Sequence, residues 1–275
     1  MRIALTGGTG IAGGFLRAEA RAAGDDVTVF GRSDPGDGTA FCPYDLTGPA
    51  PDLEGFDALI HAGFAHVPGR YRGGEGDDPA GFRAANLDGT LRLWEAADRA
   101  GLSRMVFLSS RAVYGPKPPG TSLTESTPCT PDTLYGQLKL AAEQAMPPGG
   151  IALRVTGIYG AGPANKWAET LAMAEREPPA PRAGTEVHGD DLAAAVRLML
   201  THPAPGHCVF NVSDILLDRS DLLTRWAAIT GRSVHLPPPA TPQSVNKMEC
   251  ALLRALGWRP GGWDRLDATL RRIAG

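Results

Sequence analysis

A run of one sign of charge is missing from this chain, cysteine is scarce, and no long apolar stretch occurs. The four cysteines, Cys42, Cys129, Cys208 and Cys250, are scattered through 275 residues and make no CxxC pair. That spacing argues against a zinc site or a disulfide framework and suits idle thiols in a reducing compartment. With no basic run and a net charge of −3, neither nucleic acid nor an anionic membrane is an expected partner. No apolar run approaches the roughly 20 residues that cross a bilayer. The chain opens directly on a strand pattern, with no charged leader ahead of an apolar centre. A cytoplasmic protein without metal ligands or membrane segment is the expectation.

What is present is glycine at defined places. An apolar run too short for a helix, Ile3 to Leu5, stops at Thr6-Gly-Gly-Thr-Gly10, and a helical pattern follows through Phe15, Leu16, Ala18 and Ala22. The turn carries Gly7, Gly10 and Gly13 three residues apart, with Thr9 and Ile11 between them. Glycine lets a backbone adopt positive φ and approach a ligand closely, and the helix that follows aims unpaired N–H groups over the turn. A pyrophosphate is the usual occupant, so a dinucleotide cofactor is the first hypothesis.

The second strand, 26–30, leaves through Gly31 and Arg32. A carboxylate at this tip bonds the 2′-hydroxyl of NAD, whereas an arginine receives the 2′-phosphate of NADP. With Arg32 and no acid at the tip, NADP is favoured and NAD remains the alternative. A short third strand at 40–42 is followed by Asp45 and Leu46, and a fourth, 57–62, ends at Gly63. The polar segment 67–81 reads as a long functional loop. Its Arg70 and Arg72 either meet an anionic substrate or are simply solvated. A helix is expected over 82–100, a fifth strand over 105–108 with Ser109 and Ser110 at its end, a helix from about Leu134, and a sixth strand over 151–155. This alternation predicts a Rossmann-type doubly wound parallel sheet.

Beyond 160 the pattern loosens. Helices are expected at 167–176, 190–200 and 220–230, a stiff proline-rich loop at 178–184, and a strand at 207–212. The end, 247–273, reads as helical apart from a break at 257–262. The division expected is a nucleotide-binding domain over 1–160, joined by 185–215, and a small α/β substrate lobe from 161–184 and 216–275.

Tyr135 and Lys139 are one turn apart on one helix face, and Ser110 ends a neighbouring strand. A phenol is too weak an acid to work near neutrality unless a cation stabilises its phenolate. Lys139 supplies that cation, and the Ser110 hydroxyl positions a substrate oxygen.

These pieces resemble the extended short-chain dehydrogenase/reductases, the NAD(P)-dependent sugar epimerase/dehydratase family. The matching stretches are Thr6-Gly-Gly-Thr-Gly10 with Gly13, Ile60-His-Ala62, Asn86-Leu-Asp-Gly-Thr90 and Leu108-Ser-Ser-Arg-Ala-Val-Tyr-Gly115. Tyr135-Gly-Gln-Leu-Lys139, Leu153-Arg-Val-Thr-Gly-Ile-Tyr-Gly160, His188-Gly-Asp-Asp-Leu192, Phe210-Asn-Val212 and Leu256-Gly-Trp258 follow in family order. The resemblance implies that Ser110, Tyr135 and Lys139 form the catalytic set, with Tyr135 as acid/base. It implies adenine contact at Asp45 beside Leu46, and a cofactor wall at Ala62 and Gly63. Asn86 is a further implied contact, and Tyr135 and Lys139 would also meet the cofactor. A homodimer built from the helices around 86–97 and 135–143 is implied as well.

Three departures narrow the function. Arg111 and Ala112 stand where dehydratases of the family carry an acidic pair. Gly184 stands where nucleotide-sugar enzymes place a phosphate-clamping arginine, with Arg182 two residues earlier. A second arginine motif before Leu256 is missing. The first argues against dehydration; the other two, with the short segment between Tyr159 and His188, point to a smaller substrate or one held differently, sugar-like or another small polar carbonyl compound. The leading expectation is an NAD(P)-dependent oxidoreductase. A nucleotide-sugar epimerase with tightly held NAD is the alternative, and a non-catalytic cofactor-binding regulator the third.

Overall fold

Strands that are apolar on both sides need helices above and below them, and the arrangement follows from that. The computed structural model describes residues 1–66, 73–202, 208–241 and 245–275. Strands β1 (Arg2–Thr6), β2 (Asp26–Gly31), β3 (Ala40–Pro43), β4 (Ala58–His61), β5 (Met105–Ser110), β6 (Gly150–Val155) and β9 (Cys208–Val212) form one sheet. Its order is β3-β2-β1-β4-β5-β6-β9, and every pairing in it is parallel. All strands therefore end at one edge, and the order reverses beside β1, where a doubly wound sheet opens a crevice for a ligand.

The two faces separate cleanly along each strand. Ile3, Leu5, Ile60, Val106, Leu108 and Leu153 pack on one side with Leu16 of α1 (Ile11–Ala22) and Val196 of α6 (Gly189–Thr201). Ala4, Leu59, Met105, Phe107 and Ala152 pack on the other with Trp94 of α3 (Gly89–Arg99) and Leu138 of α4 (Leu134–Gln144). This period-2 alternation makes a three-layer Rossmann-like fold.

A second, three-stranded sheet was not expected from the sequence. It consists of β7 (Gly157–Tyr159), β8 (Ala183–His188) and β10 (Ile215–Asp218), with β8 parallel to β7 and antiparallel to β10. A separate apolar cluster around Tyr159, Trp167, Leu217, Trp226 and Leu270 joins this sheet to α5 (Ala168–Ala174), α7 (Arg219–Thr230) and α9 (Gly262–Ala274).

Other departures are local. The helix expected over 82–100 starts earlier, as α2 (Pro79–Arg83), and passes through a π turn at Ala84–Asp88 before α3. The Thr90 hydroxyl donates to the Asn86 carbonyl at 2.7 Å inside that turn. Helix α5 is shorter than the expected 167–176. In the C-terminal stretch only α8 (Ala251–Ala255) and α9 are helical. Residues 247–249 instead run alongside the loop before α4: Leu123 N–H donates to the Lys247 carbonyl at 2.7 Å and Glu249 N–H to the Leu123 carbonyl at 2.8 Å. Among the described residues no helix is long and apolar enough to cross a membrane.

Candidate active site

The glycine turn joins β1 to α1 at the carboxyl edge of the sheet. Gly7 has φ of +72°, and a Cβ there would stand 2.6 Å from the Ala62 carbonyl carbon. A Cβ on Gly13 would stand 2.5 Å from the Gly8 carbonyl carbon. Both glycines are thus required by the approach of backbone to backbone. Gly10 stands at the N-cap of α1 and brings no side chain to bond the helix's first turn, while Thr9 and Ile11 are exposed beside it. A twelve-residue helix with an uncapped N-terminus, reached over bare glycine backbone, suits a pyrophosphate. Sequence reasoning missed Arg17, whose guanidinium donates to the Gly8 carbonyl and pairs with Asp37 at 3.2 Å. Its only signal was a cation on the second turn of α1.

Arg32 is exposed just beyond β2. Asp45 caps its own turn, accepting from the Thr47 N–H at 2.8 Å and the Thr47 hydroxyl at 2.6 Å. Those bonds, with the charge of Arg32 nearby, hold its carboxyl below the usual range. Arg92 fixes the same loop by donating to the Leu46 carbonyl at 2.7 Å. Ala62 and Gly63 are held against β1, the Gly63 N–H donating to Thr6 Oγ1 at 3.2 Å. Asn86 is committed elsewhere: its Oδ1 accepts from the Ala65 N–H at 2.7 Å, and its Nδ2 donates to the carbonyls of Ala65 at 2.7 Å and Phe82 at 2.9 Å. It therefore shapes the segment after Gly63 rather than presenting its amide.

His61 lies fully buried beneath this wall, 2.6 Å from Thr6 Oγ1 and 2.9 Å from Thr90 Oγ1. Burial, and secondarily the charge of Lys139, push its pKa down to about 3, so the imidazole is a neutral strut between β1, β4 and α3.

Ser110 lies at the end of β5, and Tyr135 and Lys139 lie on α4. Ser110 closes β5 and its hydroxyl accepts from the Ala112 N–H at 3.2 Å, which turns the chain into a short 3-10 segment, Arg111–Tyr114. Gly136 lets the first turn of α4 press on that segment, since a Cβ there would lie 2.7 Å from the Ala112 carbonyl oxygen. Lys139 then points back under β5, where its ammonium donates to the Leu108 carbonyl at 2.7 Å. It sits 4.6 Å from the centroid of Phe64 and 4.5 Å from that of Phe107. The Tyr135 ring meets the same Phe64 edge-on at 4.9 Å. Phe64, two residues beyond Ala62, was not singled out by sequence reasoning. It joins the two α4 side chains across one aromatic surface.

The lysine is only 3% exposed, and burial pushes its pKa down to about 7 against the raising effect of Glu143. In the unfolded chain the same amine titrates near 10.4. Between those values the unfolded chain holds the extra proton, so rising pH favours the fold and the cost of the buried charge is relieved. Unfolding free energies measured from pH 6.5 to 10 are expected to show wild type gaining about 4 kcal/mol relative to Lys139→Met. Parallel curves would mean that the site stabilises the ammonium fully.

Arg70 and Arg72 fall outside the described residues. Gly184 lies on β8 beside open space, and Arg182 is exposed ahead of it. Glu186, on the same strand, pairs instead with Lys166 next to Gly157. Among the described residues no group of three or more metal-ligating side chains occurs.

The chain is 34% identical over 178 residues to a dTDP-6-deoxy-L-talose 4-dehydrogenase (NAD(P)(+)) from Kitasatospora kifunensis, covering 58% of this chain and 54% of that protein. It is 31% identical over 158 residues to a UDP-glucose 4-epimerase from Lacticaseibacillus casei, covering 53% and 46%. The chain thus spans about half the length of these curated relatives. Its fold matches that of a UDP-glucose-4-epimerase from Stenotrophomonas maltophila solved with NAD and formylated UDP-arabinopyranose, with a TM-score of 0.81, 20% identity, and coverage of 100% of this chain and 97% of that one. Residues 3–213 match the family model described as the NAD dependent epimerase/dehydratase family. With the glycine turn, the parallel edge and the Ser110, Tyr135 and Lys139 set in family order, the chain belongs to the NAD dependent epimerase/dehydratase family.

Proposed function

We propose that this protein is an NAD(P)-dependent oxidoreductase of the extended short-chain dehydrogenase/reductase type, acting at a hydroxyl or ketone carbon of a small polar substrate. The observation that carries it is the meeting of Tyr135 and Lys139 on Phe64, beneath the strand end that bears Ser110. Ser110 would donate its hydroxyl proton to the substrate oxygen and hold it in place. Tyr135 would take the proton from that oxygen on oxidation and return it on reduction. The Lys139 ammonium lowers the cost of the phenolate in between. The second packing unit, 161–184 and 216–275, would close the substrate side.

Gly7, Thr9, Gly10, Ile11 and Gly13 would hold the cofactor pyrophosphate, Asp45 and Leu46 the adenine end, and Ala62 and Gly63 the inner wall. Asn86 would serve by fixing Ala65. The nicotinamide ring, when bound, supplies the acceptor or donor of hydride. Arg32 favours NADP because its guanidinium matches a 2′-phosphate and no acid stands at the β2 tip. Arg32→Asp is expected to weaken NADP at least about tenfold, or about 1.4 kcal/mol, with little effect on NAD. Titrations of both dinucleotides test this, and equal losses would sink the assignment.

The epimerase reading retains one support, the likeness to UDP-sugar epimerases. Protein purified with tightly retained NAD would favour it, since an epimerase keeps its cofactor through the cycle. A screen of reduced-nicotinamide absorbance with both cofactors, over aldoses, uronates, keto sugars and hydroxy acids, tests the oxidoreductase. Helices α3 and α4, tied by the Trp94 indole donating to the Ala142 carbonyl at 3.3 Å, would form the face of a homodimer. A monomer mass by light scattering would remove that part.

A further inference from the structure

Arg111 follows Ser110 directly and opens the 3-10 turn. Its guanidinium is enclosed on one side by the C-terminal segment. Nη2 donates to the Asn246 carbonyl at 3.0 Å, while Nε is buried with no hydrogen-bond partner among the described residues. Burial alone pushes its pKa down, with no neighbouring carboxylate opposing it. Several other arginines of this chain are paired with acids. Arg154 has Glu143, Arg197 has Asp25, Arg225 has Asp267, and Arg265 has Asp190 and Asp191. Among the described residues Arg111, beside the proposed reacting serine, is given no such counter-charge.

Arg111 is also pre-oriented. Asn246, on which it rests, accepts from the Thr121 N–H at 3.1 Å and donates to the Lys117 carbonyl at 3.2 Å. A guanidinium cannot discharge near neutrality, and a buried orphan donor in a native fold calls for an explanation such as a ligand. Lys117, the cation nearest in sequence, is half-buried and donates to Thr130 Oγ1 at 2.8 Å.

We propose that Arg111 sets substrate specificity, receiving the single carboxylate of a sugar acid or hydroxy acid whose hydroxyl or ketone carbon faces Ser110 and Tyr135. One planar fork matches one two-oxygen anion in a bidentate pair. A diphosphate would bring more charge than one guanidinium answers, which agrees with the missing arginine at Gly184. This assignment rests on the oxidoreductase reading for its reacting end, but the carboxylate contact is measurable apart from turnover.

The test is calorimetric titration of paired ligands into the protein saturated with NAD or NADP: glucuronate with glucose, galacturonate with galactose, and glycerate with glycerol. Wild type is expected to bind the acid of at least one pair tenfold or more tighter than its neutral partner. Arg111→Gln should erase that preference, and Arg111→Lys, which keeps the charge but loses the fork, should retain part of it. Both variants should keep dinucleotide affinity, which a merely structural loss would move. Equal binding of acid and neutral partner in all three pairs overturns the proposal, as does a preference that survives Arg111→Gln. Reduced-nicotinamide absorbance on the same samples separates the two readings. An Arg111-dependent preference without turnover of any acid upholds the carboxylate site and counts against the oxidoreductase. Turnover indifferent to the carboxylate does the reverse.

Discussion

Tyr135→Phe is expected to lower kcat by about 10²–10⁴-fold while leaving dinucleotide affinity and unfolding nearly unchanged. The substitution deletes one oxygen and keeps the ring, so the edge-on contact with Phe64 at 4.9 Å can persist. Lys139 is held by the Leu108 carbonyl and two aromatic faces rather than by the phenol, so its position should not depend on the lost hydroxyl. What disappears is the group that exchanges a proton with the substrate oxygen. KM should move little, because Ser110 remains to hold that oxygen. Steady-state rates and a dinucleotide titration on the same preparation decide the matter. Unchanged turnover would remove Tyr135 from the chemistry, and a matching loss of nucleotide binding would recast it as a cofactor contact.

The sheet and the order of the site were legible because both follow from short-range signals. Ile3 to Leu5, 57–62, 105–108 and 151–155 are apolar runs too short for helices, separated by helical periods, and that alternation admits little besides parallel strands. Once the strands are parallel, Gly7, Gly31, Ala62 and Ser110 must share an edge. The second sheet was not legible. β8 reads Ala-Gly-Thr-Glu-Val-His, with no clear alternation, and its Glu186 is tolerated inside only because Lys166 arrives from elsewhere in the chain. Residues 247–249 follow a helical pattern in sequence, yet backbone pairing with Leu123 wins. The π turn at Asn86 likewise depends on a distant partner, the Ala65 backbone that the amide bridges. Burial of Lys139 between Phe64 and Phe107 belongs to the same class: each residue is visible, but their meeting is tertiary.

Glu143→Leu is expected to cost about 3–5 kcal/mol, because it leaves the Arg154 charge buried without a partner. The pair is almost wholly enclosed, the two side chains 3% and 6% exposed, with Arg154 Nη2 2.8 Å from Glu143 Oε2 and its Nε bonded to both carboxylate oxygens. The Ser109 hydroxyl donates to the same carboxylate. Arg154 lies 4.9 Å from the Tyr114 ring centroid, and Tyr114 in turn donates to Asn211 at 2.7 Å. Arg154→Met alone strands the opposite charge and should cost a similar amount. Glu143→Leu with Arg154→Met removes both charges, and such exchanges are often near neutral. Urea unfolding of the four proteins should therefore give a large coupling energy. Activity is expected to respond differently. Glu143 stands one turn beyond Lys139 on α4, and its carboxylate holds the lysine's pKa up against burial. In the double variant the fold returns while Lys139 loses that support, so less of it is protonated at neutral pH and less phenolate stabilisation remains for Tyr135. Stability recovering without full recovery of kcat is the expected pattern, with the deficit largest on the alkaline side. Recovery of both together would confine Glu143 to holding α4 against β5.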